Sequence, residues 1–244
     1  MQVNVSYYKY TNRGGRDINE DSLACASANG YSYFILADGL GGHDSGEVAS
    51  RFVVNELAKC FKKIKITGIN QINNVFELVN HKLVKLKESN GFFTNMKTTA
   101  AALYIKEGKA YVAYAGDTRV YFFRGGEMAE HTADHTVTYK KFLAGDISYN
   151  DINTDDDRTR LLAAFGNRGK LSAGNFKNVI TLKTGDAFLL CTDGFWEYMD
   201  AEEMNADRVK SRSPRQWAEY MLLRHIRRTK ILNDNFSLIT VLID

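Results

Sequence analysis

Carboxylate side chains recur in this 244-residue sequence where an apolar stretch begins or ends next to glycine or another small residue. A carboxylate at the end of a buried strand is partly dehydrated, and its charge is costly unless hydrogen bonds or a cation compensate it. Several such groups would repel each other unless hard metal ions neutralised them, and oxygen-only ligands favour Mg²⁺ or Mn²⁺ over Zn²⁺. The pattern therefore predicts a magnesium or manganese site. The acidic segments concerned are residues 16–21, 37–43, 114–119, 191–194 and 233–235.

Taken singly, each of these segments has a simpler interpretation. An isolated Asp-Gly pair such as Asp38-Gly39 is usually a hairpin turn, and Asp234-Asn235 alone would also be a turn. The Gly-Gly-His segment that ends at His43 would usually be a loop. No single segment is specific, so the prediction depends on their order and on the residues around them.

That order resembles the metal-dependent protein phosphatases, the type 2C or PPM Ser/Thr phosphatases, and in particular their bacterial single-domain branch. The resemblance extends from about residue 12 to residue 243. It implies a metal-dependent hydrolase that acts on phosphoserine and phosphothreonine. The segments that carry it are, in chain order, R-x-x-N-E-D, D-G-x-G-G-H-x-x-G-E-x-A-S, T-T-A, G-D-T-R, T-x-D-H-T, T-D-G-F-W and D-N.

The resemblance assigns the core of a two-metal site. It implies that the Asp38 carboxylate bridges two Mn²⁺ or Mg²⁺ ions and that the Gly39 carbonyl binds one of them. Asp193 and Asp234 match the family positions that hold the second ion. A water between two such cations loses a proton near neutral pH and can attack phosphorus in line. No cysteine or serine nucleophile is needed.

Four further residues complete the set that the resemblance implies. Glu20 matches a position that reaches a metal through water, with Asp21 beside it in the outer coordination sphere. Arg16 matches the residue that binds the substrate phosphate, for which the planar guanidinium is suited. Asp117, together with Asp193, matches the ligands of a third, weaker metal ion in bacterial members.

The sequence departs from the family pattern at four positions. Leu40 stands where some eukaryotic members have a histidine proposed as general acid, so protonation of the leaving group is expected from metal-bound water. Lys97 replaces the usual glycine before Thr98, and Thr192 replaces the commoner serine. Glu197 stands where many members have aspartate, which leaves the ligands of the third ion open. A catalytically silent phosphatase-like binding module is the alternative function, although such proteins usually lose metal-binding aspartates.

The five histidines are expected to be structural or peripheral. His43 is predicted to buttress its loop and His135 to form structural hydrogen bonds. His81, His131 and His225 lie on predicted helices or strand edges and are predicted to have no catalytic role.

The elements that must position these residues follow from hydrophobic periodicity. Helical spacing begins at Ser45 and near Ile69, and a capping box at Ser213 and Gln216, with Pro214 between them, starts a third helix. Short strands joined by tight turns predict antiparallel pairing, hence an α+β fold: an antiparallel β-sandwich flanked by helices, in four α-β-β-α layers. The predicted strands are 3–9, 22–28, 31–37, 99–106, 110–116, 119–124, 178–183, 186–192 and 236–243.

One domain over residues 1–244 is expected, because no linker or internal repeat divides the sequence. The polar stretch at about 136–175 is predicted to be an irregular flap, variable between family members, that influences substrate choice. The absence of a prolonged apolar run predicts no membrane span.

Net charge and cysteine content limit the kinds of partner and the cellular compartment that the sequence predicts. The net charge of +3 is spread evenly, which argues against nucleic acid as a partner and against a nuclease. Cys25, Cys60 and Cys191 form no metal or disulfide pattern and are predicted to be reduced core residues in a cytoplasmic protein. A monomer is the default expectation. The expected partners are phosphorylated Ser/Thr proteins and, by family resemblance, a cognate Ser/Thr kinase.

Overall fold

The computed structural model describes residues 4–28, 30–41, 45–89 and 95–244. Its helices are α1 (Ser45–Lys63), α2 (Ile69–Ser89), α3 (Val137–Ala144), α4 (Asp193–Trp196), α5 (Ala201–Lys210) and α6 (Pro214–Arg228). Its strands are β1 (Val5–Asn12), β2 (Asp21–Ala28), β3 (Tyr31–Leu40), β4 (Lys97–Thr98), β5 (Ala100–Lys106), β6 (Lys109–Ala115), β7 (Arg119–Arg124), β8 (Glu127–His131), β9 (Ile180–Thr181), β10 (Ala187–Cys191) and β11 (Phe236–Ile243).

Two antiparallel sheets form the centre of the described part of the chain. One has the strand order β1-β11-β10-β7-β8, and the other has the order β2-β3-β5-β6-β9 with β4 paired to the end of β3. The strands β5 and β11, in the interior of the two sheets, are buried along almost their whole length, since each sheet is covered on both faces.

Side-chain alternation along β3 shows how the layers are built. Phe34 and Leu36 pack into the core between the two sheets, where Ile239 of β11 meets them. Tyr33 and Ile35 point to the opposite face and pack under α1 and α2. The outer face of the other sheet is covered by α4, α5 and α6. The predicted α-β-β-α layering is confirmed.

Helix α6 begins as the sequence predicts, with one difference. The Ser213 hydroxyl accepts a hydrogen bond from the Gln216 amide at 3.2 Å, and Pro214 occupies the first turn. The Gln216 side chain, however, accepts from the Arg212 amide at 2.8 Å rather than from that of Ser213. The expected reciprocal hydrogen bond is therefore displaced by one residue, from the Ser213 amide to the Arg212 amide.

The polar stretch at 136–175 is less irregular than predicted. It contains the eight-residue helix α3, which Thr136 caps by accepting from the Tyr139 amide at 3.1 Å, and which ends at Gly145 with a φ of 82°. A short 3₁₀ turn at Tyr149–Asp151 follows. Helix α5 and strand β8 were also not predicted, because their apolar residues are too sparse to give a clear period. The three cysteines are free: Cys60 and Cys191 are buried, and Cys25 is half-buried.

Candidate functional site

Strand pairing brings the predicted acidic residues to one edge of the sandwich. Asp21, the first residue of β2, lies directly opposite Asp38 near the end of β3. In the other sheet β10 runs antiparallel to β11, so Asp193, just after β10, lies beside Asp234, just before β11. Asp117 occupies the short connection between β6 and β7 and is 9% exposed. Residues from both sheets therefore meet at this edge.

The carboxylates of Asp38 and Asp193 lie within hydrogen-bond distance of each other. Withdrawal from solvent, followed by the negative charge of Asp193, raises the pKa of the Asp38 carboxyl well above its ordinary value. Burial also raises the pKa of Asp193. Two adjacent carboxylates cannot both remain charged unless a proton or a cation compensates them.

Asp21 is the most enclosed carboxylate of the group, with 7% of its surface exposed. Its Oδ2 accepts hydrogen bonds from the hydroxyls of Ser237 at 2.6 Å and Thr192 at 3.1 Å. Its Oδ1 is buried and has no hydrogen-bond partner. Burial and the nearby charge of Asp193 raise the pKa of Asp21 to about 7. A buried carboxylate oxygen without a donor is unfavourable unless a proton or a cation compensates its charge.

Arg16 extends over the solvent side of the group. Its Nη2 lies 2.8 Å from Oδ2 of Asp234, and both side chains are about half exposed. Oδ1 of Asp234 accepts from the Asn235 amide at 2.7 Å. The Asn235 side chain in turn accepts from the Glu20 amide and donates to the Arg13 and Ile18 carbonyls, at 2.8, 2.8 and 2.9 Å respectively. Asn235 thus holds the two ends of the site together.

Glycine is required where two backbones cross at this edge. A Cβ added to Gly39 would lie 2.2 Å from the Gly46 carbonyl oxygen and 2.8 Å from that of Glu20. The Gly39 amide donates to the Glu20 carbonyl at 3.1 Å. This close approach places the start of α1, the Glu20 segment and the end of β3 in contact, and leaves no room for a side chain between them.

The donor chemistry of this edge fits hard divalent cations. The groups are carboxylate and carbonyl oxygens, two of the carboxylates are in direct contact, and a third has an unpaired buried oxygen. Within the described ranges no three His, Cys, Asp or Glu side chains already converge as a metal-binding group. Oδ2 of Asp234 lies against Arg16 and Oδ1 of Asp193 accepts from the Gly194 amide at 2.6 Å, which leaves the other oxygen of Asp193 and further lone pairs on both carboxylates as donors for a cation.

Comparison with known proteins agrees with this geometry. The family model described as Protein phosphatase 2C matches residues 11–229. The chain belongs to the protein phosphatase 2C family. It is 30% identical over 175 residues to the serine/threonine phosphatase stp of Listeria innocua, covering 70% of this chain and 69% of that protein.

Two solved structures show the same fold. Serine/threonine phosphatase Stp1 from Staphylococcus aureus has a TM-score of 0.86 at 26% identity, covering 100% of this chain and 96% of the other. The catalytic domain of the serine/threonine protein phosphatase PstP, solved in complex with two manganese ions, has a TM-score of 0.83 at 24% identity and covers 99% and 98% of the two chains. The predicted family and fold class are confirmed.

The structure brings together at one edge all the phosphatase residues that the sequence singled out. Among the four departures, the Thr192 hydroxyl keeps a serine-like role by donating to Asp21 and accepting from the Ser237 amide at 3.0 Å. Glu197 is half-buried near Asp193, and burial and that charge raise its pKa to about 7. His43 lies outside the described residues. The gathered residues are Arg16, Glu20, Asp21, Asp38, Gly39, Asp117, Asp193 and Asp234.

A buried arginine that was not predicted supports the Asp117 turn. The Arg119 guanidinium forms a two-pronged ion pair with Asp134, with Nε–Oδ1 and Nη2–Oδ2 distances of 2.8 and 2.6 Å. It also stacks 3.4 Å above the Trp196 ring. The Trp196 Nε1–H donates to the Asp117 carbonyl at 2.9 Å. Through these contacts Arg119, the first residue of β7, is connected by way of Trp196 to the backbone of Asp117.

His135 and His225 have structural environments, as predicted. His135 stacks on Tyr114 with a centroid distance of 4.7 Å, and its amide donates to the Gly116 carbonyl at 3.0 Å. His225 is fully buried, and its Nε2 lies 2.7 Å from the Gly194 carbonyl oxygen. Since a carbonyl only accepts, Nε2 carries the hydrogen, and burial lowers the pKa of His225 and keeps it neutral. No sequence pattern indicates that this helix histidine contacts the Asp193 turn.

Replacing His225 with phenylalanine should therefore impair the site more than the fold. The Gly194 carbonyl would lose its donor, and the turn that carries Asp193 would be held less firmly. We expect phosphatase turnover to fall by about tenfold, because small displacements of catalytic groups are costly, with a loss of about 1–2 kcal/mol in unfolding free energy. H225Q, which can present an N–H near the same place, should recover part of the turnover in a phosphate-release assay. Equal turnover in the phenylalanine variant and the parent chain would contradict this role.

Proposed function

We propose that this chain is a metal-dependent serine/threonine protein phosphatase that hydrolyses phosphoserine and phosphothreonine by direct attack of water. The observation that carries the proposal is the contact between the half-buried carboxylates of Asp38 and Asp193 at an edge shared with Asp21, Asp117 and Asp234. The motif order and the named phosphatases among the relatives support the same activity. We also propose that residues 1–244 form one catalytic domain.

The chain's own residues have distinct parts in this proposal. Asp38, the Gly39 carbonyl, Asp193 and Asp234 would hold two Mn²⁺ or Mg²⁺ ions, with Glu20 reached through water and Asp21 behind them. When bound, these ions supply an activated water and neutralise charge on the phosphoryl group. Their positive charge would allow Asp38 and Asp193 to remain ionised beside each other, which is unfavourable for two adjacent carboxylates without a compensating cation. PstP, solved with two manganese ions, is the precedent for this pair.

Arg16 has two alternative partners in this scheme. In the structure its Nη2 contacts Asp234, but the Arg16 side chain is 58% exposed and a guanidinium carries five N–H donors. An incoming phosphate can therefore take up a pair of parallel N–H donors, while Asp234 turns inward. Arg16 binds and orients the phosphate. Asp117, with Asp193, would hold a third ion more weakly, because a shared carboxylate compensates two cations incompletely.

The partners follow from the activity. Phosphorylated Ser/Thr proteins are the proposed substrates, a cognate Ser/Thr kinase is the proposed counterpart, and the working form is a cytoplasmic monomer. No helix in the described ranges is long and apolar enough to cross a bilayer.

Phosphate release from a phosphothreonine peptide and from p-nitrophenyl phosphate tests the proposal. We expect hydrolysis of both with Mn²⁺ or Mg²⁺, and loss of hydrolysis in excess EDTA that is restored when the metal is returned. Persistence of activity after rigorous chelation would contradict the metal-dependent mechanism. Absence of hydrolysis with either ion, together with no metal binding by calorimetry, would favour the silent binding module.

A further inference from the structure

A basic concavity opens beside the strand end that carries Asp38. Its volume is about 470 Å³. We call it the basic pocket, and define it by Lys87 and Glu88 of α2, Lys97 of β4, and Arg168 of the segment that follows Gly166. It contains none of the proposed metal ligands. Lys97 is the residue that replaces the family's usual glycine, and the proposed function gives it no role.

Positive charge exceeds negative charge in the basic pocket. Three cationic side chains face one carboxylate, that of Glu88, whose Oε1 lies 3.3 Å from Nε of Arg168. Nζ of Lys87 donates to the Gly166 carbonyl at 2.7 Å, so a neutral oxygen holds this ammonium in place. The three cationic residues line the same concavity, and burial, then repulsion from Lys97 and Arg168, lowers the pKa of Lys87. No described carboxylate forms an ion pair with Lys97.

The basic pocket lies beside the end of β3 that carries Asp38, because Lys97 belongs to β4, which pairs with this end of β3. Lys97 pairs with Leu40 and Thr98 pairs with Gly39, while the Thr98 hydroxyl donates to the Asp38 carbonyl at 2.6 Å. Since a strand rises about 3.3 Å per residue and neighbouring strands lie about 5 Å apart, the Cα atoms of Lys97 and Asp38 are roughly 8 Å apart in a straight line. The Thr98–Phe165 bridge joins the segment that bears Arg168 to the same edge.

A substrate chain in an extended conformation would span the distance from Asp38 to the basic pocket within a few residues. With the phosphorylated residue at Asp38, a chain that advances about 3.3 Å per residue brings side chains two to four positions away to the basic pocket. An anionic side chain there would face Lys97 and Arg168, which are exposed and so lose little hydration on pairing. A neutral side chain at the same place would form no ion pair with Lys97 or Arg168.

We propose that the basic pocket is a substrate subsite that binds an acidic side chain two to four residues from the phosphorylated residue. This inference rests on the proposed phosphatase function and adds a preference among its substrates. The acidic group is a carboxylate of the substrate protein, and it pairs mainly with Lys97 and Arg168. Lys87 adds to the field but remains bonded to Gly166.

The test compares phosphothreonine peptides that differ only in glutamate against glutamine two to four positions away, placed on either side of the phosphorylated residue. We expect kcat/KM to be about three- to tenfold higher for the glutamate peptide of one series, as two exposed ion pairs would give. The preference should shrink in 0.5 M NaCl, because salt screens exposed charges. The doubly substituted variant K97Q/R168Q should show no preference. K85Q, which removes a lysine of α2 outside the basic pocket, should retain it.

Equal kcat/KM for glutamate and glutamine peptides in both series would overturn the subsite, and so would a preference that survives in K97Q/R168Q. Failure of the proposed function has a different signature, since no peptide would then be hydrolysed. In that event the affinities of the same peptides, measured by calorimetry, decide the question: tighter binding of the glutamate peptide supports the subsite, and equal affinities overturn it.

Discussion

Replacing Asp38 with asparagine is expected to lower turnover of a phosphothreonine peptide by about a thousandfold, equivalent to several kcal/mol of transition-state stabilisation. Asparagine preserves the size of the side chain but removes the charge that would bridge two cations. Its hydrogen-bonding neighbours in the backbone remain, since Thr99 donates to the Asp38 carbonyl at 2.9 Å. The loss should therefore appear in activity and in calorimetric metal binding rather than in the fold.

A stability measurement separates this effect from misfolding. In EDTA, D38N should unfold at the same temperature as the parent chain or higher, because the Asp38 carboxylate is repelled by Asp193 and Asp21 in the metal-free protein. With Mn²⁺ the parent chain should gain more stability than the variant, as expected for an ion that binds only the folded state. D146N makes the same chemical change at an exposed position and should behave as the parent chain does. Full activity in D38N would exclude the bridging role.

Breaking the Arg119–Asp134 pair is expected to cause the largest loss of stability. The two side chains are 4% and 1% exposed, and R119M would leave the Asp134 charge buried without a partner. Such removal costs about 3–5 kcal/mol, which corresponds to a fall of roughly 6–20 °C in the melting temperature of a domain of this size. R119K retains the charge but cannot form the two-pronged pair or the same ring stacking, so an intermediate loss is expected.

Two further variants test whether the buried charge is the cause. In R119M/D134L both charges are absent, and much of the stability should return, because apolar side chains can replace a buried ion pair. R215M breaks an exposed pair with Glu219, whose side chains are 71% and 50% exposed, and should change the unfolding free energy by less than about 1 kcal/mol. Equal losses in R119M and R215M, measured by thermal or urea unfolding, would disprove the importance of burial.

The strand boundaries, and the aspartates beside them, were predicted best from the sequence. Strands β7 and β11 begin and end where the sequence predicts, at Arg119–Arg124 and Phe236–Ile243, because each is a run of β-branched, aromatic or leucine side chains between turn residues. The aspartates beside such runs fall at one edge once the strands pair antiparallel. Local pattern and family motifs therefore predicted the fold and the gathered acidic residues.

Contacts between segments far apart in the sequence could not be predicted from local patterns or family motifs. The Ser237 hydroxyl donates to Asp21 across 216 residues, and Trp196 reaches the Asp117 backbone across 79. Nothing in the periodicity of α6 distinguishes the core-facing His225 from an ordinary apolar position, because its partner is a carbonyl on another element. Lys97 was noticed as a departure, but its neighbours Lys87 and Arg168 become relevant only after β4 and α2 are placed together.

The position of β11 links catalysis to the order in which the chain folds. This strand lies between β1 and β10, and its pairing with β1 joins segments more than 220 residues apart in sequence. Loop closure over such a separation is entropically costly and tends to be slow. Asp234 and Asn235 immediately precede β11, and Asn235 bonds to the Glu20 amide. A partly folded chain without this strand thus lacks one carboxylate and the clamp at Glu20, so recovery of phosphatase activity would report completion of the sheet.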